Sequence, residues 1–135
     1  MGLIFKDEAY QITGACFEVY NYHRHGFVEG VYHESLIYEF AERKIPAVSK
    51  PQIQIQFKGQ KLQKSFEPDF VCFGEIIPEI KALADLRDEH RSQVLNYLKA
   101  TGFQLGLLVN FGKADGLQWE RIAFLDQKDN PPNLH

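Results

Sequence analysis

Cysteine is scarce in this 135-residue chain: Cys16 and Cys72 are the only two, far apart and outside any Cys-x-x-Cys spacing. That excludes a disulfide framework and a cysteine-rich zinc site, and it suits a reducing compartment. Long apolar runs are missing too. The longest obvious one, Leu105-Gly106-Leu107-Leu108-Val109, is far short of the roughly 18 residues that cross a bilayer, so no membrane partner is expected. The opening residues, Met1 to Asp7, lack the apolar stretch and cleavage site of a secretory leader, and Lys6 breaks the myristoylation pattern. The expected location is the cytoplasm. An excess of basic charge is also absent: 15 Lys and Arg stand against 18 Asp and Glu, a formal charge of -3, which falls short of a bulk nucleic-acid footprint. What is present is globular. Hydrophobic residues at 44% and charged residues at 24% exclude whole-chain disorder, and the length suits one domain with a single core.

The net charge conceals an asymmetry. Residues 50–66 hold Lys50, Lys58, Lys61 and Lys64 and no acid, which leaves 11 basic and 18 acidic residues, or -7, for the rest. A basic segment on an acidic body can meet phosphates locally. The same lysines also serve to keep a hairpin soluble and its edge unpaired.

Periodicity predicts two helices at residues 8–24 and 27–43, separated at Gly26. Residues 44–51, with two prolines, are expected as a connection. The alternation of Gln52-Ile53-Gln54-Ile55-Gln56-Phe57 is that of a half-buried strand, and Lys58-Gly59 supplies a tight turn. A second strand is expected at 61–73, bent near Pro68, and a third at 76–82. A helix at 85–101 ends at Gly102. Residues 104–111 form an apolar strand inside the sheet, 120–125 an edge strand, and 126–135 a disordered tail beyond a single domain at 1–125. Three consecutive strands suit an antiparallel meander, and the helix before the fourth suits a parallel crossover. The expected class is α/β (α+β) with a mixed sheet.

Asp69, Glu79 and Lys81 stand out as chemistry. Glu79 and Lys81 are two apart on a strand, so both side chains leave one face, while Asp69 comes from the preceding strand. Two converging carboxylates can bind a hard cation such as Mg²⁺, and an ammonium beside them can hold an attacking water or stabilise phosphate charge. This is the chemistry of metal-assisted phosphodiester hydrolysis. Spacing alone also describes a solvated strand face. However, Pro68, Phe70, Ile76, Ile77 and Ile80 place these charges inside the most apolar strands, where unpaired burial is costly.

Pro68-Asp69 followed by Glu79-Ile80-Lys81 resembles the PD-(D/E)XK nuclease signature. Upstream, Gly26-Phe27-Val28-Glu29-Gly30-Val31-Tyr32 is a literal G-x-x-E-x-x-Y. Downstream, Gln93-Val94-Leu95-Asn96-Tyr97 is a Q-x-x-x-Y. In order and spacing, over residues 8–125, these motifs are similar to the GxxExxY protein family, a branch of the PD-(D/E)XK superfamily. The resemblance implies a restriction-endonuclease-like αβββαβ core, a mixed sheet flanked by helices, with an extra N-terminal helix. It implies metal ligation by Glu29, Asp69, Glu79 and the backbone carbonyl of Ile80. Lys81 would position or activate water, with Gln93 and Tyr97 on the helix beside the active site. Gly26 would permit tight entry into the second helix, and Tyr32 would anchor that helix on the core. One departure stands out: Pro78 precedes Glu79, where the family usually has an apolar β-branched residue. A proline there predicts an irregular strand at the ligand carbonyl.

Bland roles compete for other residues. Glu29 by itself suits a solvated helix acid, Gln93 and Tyr97 a polar helix face shared with His90, and His23 and His25 a structural helix end. Trp119 is expected to pack rather than to stack on bases. The function expected is a Mg²⁺-dependent nuclease (Mn²⁺ as the alternative ion) acting on DNA, with RNA as the second candidate. The alternative is a catalytically silent nuclease-fold module that binds nucleic acid or assembles with protein. Small size makes a homodimer or a protein partner plausible.

Overall fold

The computed structural model describes residues 3–125. The expected tail at 126–135 lies outside them. Two helices open the chain, α1 (Lys6–His23) and α2 (Glu29–Glu42), followed by β1 (Ala47–Ser49), β2 (Ile53–Phe57), β3 (Gln60–Phe66), β4 (Phe70–Cys72), β5 (Ile76–Lys81), α3 (Asp88–Thr101), β6 (Leu105–Asn110) and β7 (Gln118–Ala123). Five strands form one sheet in the order β1-β4-β5-β6-β7, and β2 and β3 form a separate two-stranded sheet. Among the described residues only the β5–β6 pair is parallel, bridged by α3 as the crossover.

Apolar side chains alternate across the sheet and are covered on both sides. On one face Ile76, Ile80, Leu105, Leu107 and Val109 pack with Ile12, Cys16, Tyr32, Leu36 and Phe40 of α1 and α2. On the other, Ile77, Leu108 and Ile122 pack with Val94, Tyr97 and Leu98 of α3. Every residue of β6 is buried, as expected for an interior strand covered on both faces. Arg91 of α3 grips Glu120 of β7 with two bonds, of 2.7 and 2.6 Å, and so ties helix to edge strand. Cys16 and Cys72 are free and buried in the first cluster.

Three expectations need correction. The connection at 44–51 contains a strand, β1, which pairs antiparallel with β4. The long strand expected at 61–73 is two strands in two different sheets, because the chain breaks at residues 67–69 around Pro68, so no three-stranded meander forms. Lastly, β5 is regular through Pro78: its parallel register with β6 runs unbroken from Ile76↔Leu105 to Lys81↔Asn110. The reason lies on the opposite edge. β5 pairs with β4 only at Cys72↔Ile76, and beyond that point the two strands diverge. Successive N–H groups of a strand alternate in direction, so the Pro78 nitrogen lies on the same side as the Ile80 N–H. The latter is given to a side chain, Asp69 Oδ2, and not to a strand carbonyl. A missing N–H at Pro78 therefore breaks no ladder bond.

Candidate active site

The fork between β4 and β5 is where the charged groups collect. Asp69 stands immediately before β4, 8% exposed, and Glu79 is in β5, 5% exposed. The Asp69 N–H donates to Glu79 Oε1 at 3.0 Å, and the Ile80 N–H donates to Asp69 Oδ2 at 2.8 Å. Backbone and side chain thus interlock the two acids across the fork. Lys81, two residues on from Glu79, points to the same face, where its ammonium donates to Gln93 Oε1 of α3 at 3.0 Å. Tyr97, one turn further along α3, stacks on Phe66 of β3 with centroids 4.5 Å apart. That contact joins the base of the hairpin to the wall of the site.

The electrostatics follow from burial. Glu79 is pushed up to about 8, first by loss of solvent and then by the negative charge of Asp69. Lys81 opposes this and does not overcome it. Burial, then Glu79 and Asp69, hold the Tyr97 hydroxyl above its ordinary range. Glu29 is the first residue of α2 and is exposed. Its carboxyl is nonetheless raised, by partial desolvation first and by Asp69 next, with Lys81 and Lys50 acting in the other direction. Glu29 is therefore within the field of the pair but sits at its mouth.

The remaining G-x-x-E-x-x-Y residues shape the approach to α2. Gly26 adopts φ 118°, a conformation that side chains disfavour. The Tyr32 hydroxyl donates to the Arg24 carbonyl at 2.5 Å and accepts from the Phe27 N–H at 3.2 Å, while its ring stacks on Phe111 at 4.7 Å. Tyr32 thereby pins the loop that sets where Glu29 starts.

Two residues of the site region went unnoticed in the sequence. His33 is one helical turn after Glu29 and 6% exposed. Its Nδ1 is 2.9 Å from Asp69 Oδ1, its Nε2 is 2.8 Å from Ser49 Oγ of β1, and its ring stacks on Phe70 at 4.2 Å. A lone histidine on a helix gives no spacing signal; its place four residues after Glu29, on the same helix face, was the one available clue. Asn110, fully buried at the end of β6, bonds the Leu83 N–H, the Leu83 carbonyl, the Gly112 N–H and Gln118. It braces the turn that leaves Lys81. Gly112 belongs to the same brace, because a Cβ there would lie 2.3 Å from the Leu83 backbone.

The donor chemistry of the fork suits a hard cation. It offers two carboxyl groups, Asp69 and Glu79, and a backbone carbonyl. Among the described residues no three His, Cys, Asp or Glu side chains form a group that could hold an ion unaided. A sparse oxygen set of this kind matches Mg²⁺, which keeps several waters and shares substrate phosphate oxygens.

A model of the PD-(D/E)XK nuclease superfamily matches residues 6–122. The chain belongs to this superfamily. Its members typically use divalent metals, and the family points to nuclease activity and nucleic-acid binding. The fold is also similar to that of a solved structure described as the crystal structure of SSO0001, with a TM-score of 0.57 at 18% identity, over 73% of this chain and 51% of that one. This chain thus spans about half the length of that protein. At such identity the likeness concerns the fold alone, a restriction-endonuclease-like α+β architecture. No curated protein matches the chain.

Features outside the fork do not compete with it. A hollow of about 530 Å³ between α1 and β7 is lined by Tyr10, Phe17, Trp119 and Arg121, and none of Asp69, Glu79 and Lys81 lines it. Trp119 thus helps to line a hollow, 39% exposed. His23 bonds Ser35 at 2.7 Å, in keeping with a structural helix end. Among the described residues no helix is long and apolar enough to cross a membrane.

Proposed function

We propose that the protein is a metal-dependent nuclease of the GxxExxY branch, hydrolysing phosphodiester bonds of DNA, or of RNA as the alternative, in the cytoplasm. The observation that carries this reading is the interlocked Asp69–Glu79 pair with Lys81 on the Glu79 face. Asp69, Glu79 and the Ile80 carbonyl are the candidate ligands, with Glu29 at the mouth. A bound Mg²⁺ or Mn²⁺ would supply Lewis acidity toward a phosphoryl oxygen and neutralise charge that gathers in the transition state.

The chain's own groups do the rest. Lys81, held by Gln93, offers ammonium protons to orient a water and to stabilise negative charge. Tyr97 closes the α3 side and excludes bulk water there, its ring fixed by Phe66. Lys58, Lys61 and Lys64 of the β2–β3 hairpin, with Lys50 just after β1, would offer positive charge to the phosphate backbone, so an acidic protein can still bind a polyanion.

The test is a cleavage assay on single- and double-stranded DNA and RNA with Mg²⁺ or Mn²⁺, with Lys81→Ala as the control. Cleavage that needs the ion and Lys81 supports the reading. Binding without cleavage on every substrate would leave the silent module in its place.

A further inference from the structure

His33 belongs to none of the recurring motifs, yet its ring nitrogen lies 2.9 Å from the Asp69 carboxyl group. Three elements meet on it. It hangs from α2, touches Ser49 at the end of β1, and lies flat on Phe70 at the start of β4, with an interplanar angle of 11°. A carboxylate only accepts hydrogen bonds, so the proton between His33 and an ionised Asp69 resides on Nδ1. Nε2 meets the Ser49 hydroxyl at 2.8 Å, which holds the ring from its other side.

The consequence falls on Asp69. Its Oδ1 receives His33 and its Oδ2 receives the Ile80 N–H, at 2.9 and 2.8 Å. A carboxylate held at both oxygens cannot rotate about its terminal torsion, and each oxygen retains a lone pair. Side chains that hold a ligand in this way are known to tune metal affinity. The order Ser49–His33–Asp69 is also the order of a nucleophilic serine relay. Here, however, the N–H that follows Ser49 is committed, since the Lys50 N–H donates to the Asp69 carbonyl at 2.8 Å. The chain of bonds therefore ends in the orientation of an aspartate.

We propose that His33 is a positioning residue of the metal site: its Nδ1–H fixes the Asp69 carboxylate for a divalent cation shared with Glu79, and Ser49 fixes the ring. This rests on the metal-dependent reading above, and the controls separate the two.

Mn²⁺ alone is the probe, titrated into the full chain and followed by electron paramagnetic resonance of the free ion. His33→Phe keeps a ring to stack on Phe70 and deletes both polar atoms. His33→Asn restores an N–H donor near the Nδ1 position. His33→Phe should weaken Mn²⁺ binding by about 10- to 100-fold, the range for removing a partner of a ligand. His33→Asn should recover most of that loss, and Ser49→Ala should lose less than His33→Phe. Circular dichroism melting without metal checks that each variant is folded. If Asp69→Asn abolishes binding while His33→Phe binds like the parent protein, the positioning role is wrong. Equal losses for His33→Phe and His33→Asn would also overturn it, because bulk and not the donor would then matter. If Asp69→Asn itself binds Mn²⁺ normally, the metal reading fails and the inference falls with it.

Discussion

The five-stranded sheet and the β2–β3 hairpin handle charge in opposite ways. In the sheet, β5 is buried from Ile76 to Ile80, and the two acids at its fork have little water around them. In the hairpin, every residue of β3 except Phe66 is exposed, and no acid occurs from Lys50 to Phe66. The sheet concentrates acidic groups where ionisation is costly and where a bound cation would relieve that cost. The hairpin places positive charge where it costs little and can act at a distance. A two-stranded sheet is marginal by itself, and this one is fastened to α3 through Phe66 and Tyr97. On the proposed function, the difference would separate two tasks within one short chain: chemistry at the fork, and capture of a polyanion along the hairpin.

The largest effects should come from the fork. Lys81→Ala should lower the cleavage rate by about 10²-fold or more, the scale for losing a charge-stabilising donor, with nucleic-acid affinity changed much less. Single-turnover kinetics beside a binding assay would separate the two quantities. A variant whose affinity fell as far as its rate would blur the division between fork and hairpin.

Next in size is the cost of burying Glu79. Its folded-state value of about 8 lies above the ordinary value of 4.5. The stability linked to its protonated form is therefore complete below pH 4.5 and is lost as pH rises through about 8. Relative to Glu79→Gln, the metal-free parent should lose on the order of a few kcal/mol between about pH 4.5 and about pH 9. Gln keeps an oxygen for the Asp69 N–H. Denaturant melts of both proteins across that range provide the measurement, and parallel curves would mean that Glu79 is not strained by its charge. Adding Mg²⁺ should raise the melting temperature of the parent and not of Glu79→Gln.

The hairpin effect should be smaller and different in kind. Replacing Lys58, Lys61 and Lys64 with serine should weaken nucleic-acid binding evenly across sequences. It should also flatten the plot of log affinity against log salt by up to about 0.9 for each phosphate that is no longer neutralised. The bound-state cleavage rate should stay the same. An unchanged salt slope would return these lysines to the role of keeping an exposed edge soluble. Smallest of all, Glu29→Gln should reduce Mn²⁺ affinity by only a few-fold, on the order of 1 kcal/mol or less, since that residue is exposed at the mouth. A loss as large as that of Asp69→Asn, read by the same titration, would make Glu29 a full ligand.

Much of this division could be read from residue order. The alternation of residues 52–57 and the Lys58-Gly59 turn specified a hairpin, and the acid-free run specified its charge. Asp69, Glu79 and Lys81 were legible because a strand period of two and a recurrent motif both mark them. What stayed hidden depends on contacts distant in sequence. β1 is three exposed residues that pair, among the described residues, with β4 alone, so no local pattern announces it. The split at residues 67–69 sends β3 and β4 to different sheets, and nothing in the local order of residues 60–72 reveals which sheet each joins. Pro78 signalled an irregular strand because a ladder bond is ordinarily needed at that nitrogen; the fork removes the need. His33 was silent for the same reason as Asn110: a single buried polar residue acquires meaning from its partners, here Asp69 and Ser49.

The central claim is that one divalent cation belongs between Asp69 and Glu79. Anomalous diffraction from crystals of the full chain soaked in millimolar Mn²⁺ tests it most directly. The account predicts one peak within ligand distance of a carboxylate oxygen of each acid, absent from Glu79→Gln crystals treated alike. A peak elsewhere, or none between these two residues, would contradict it.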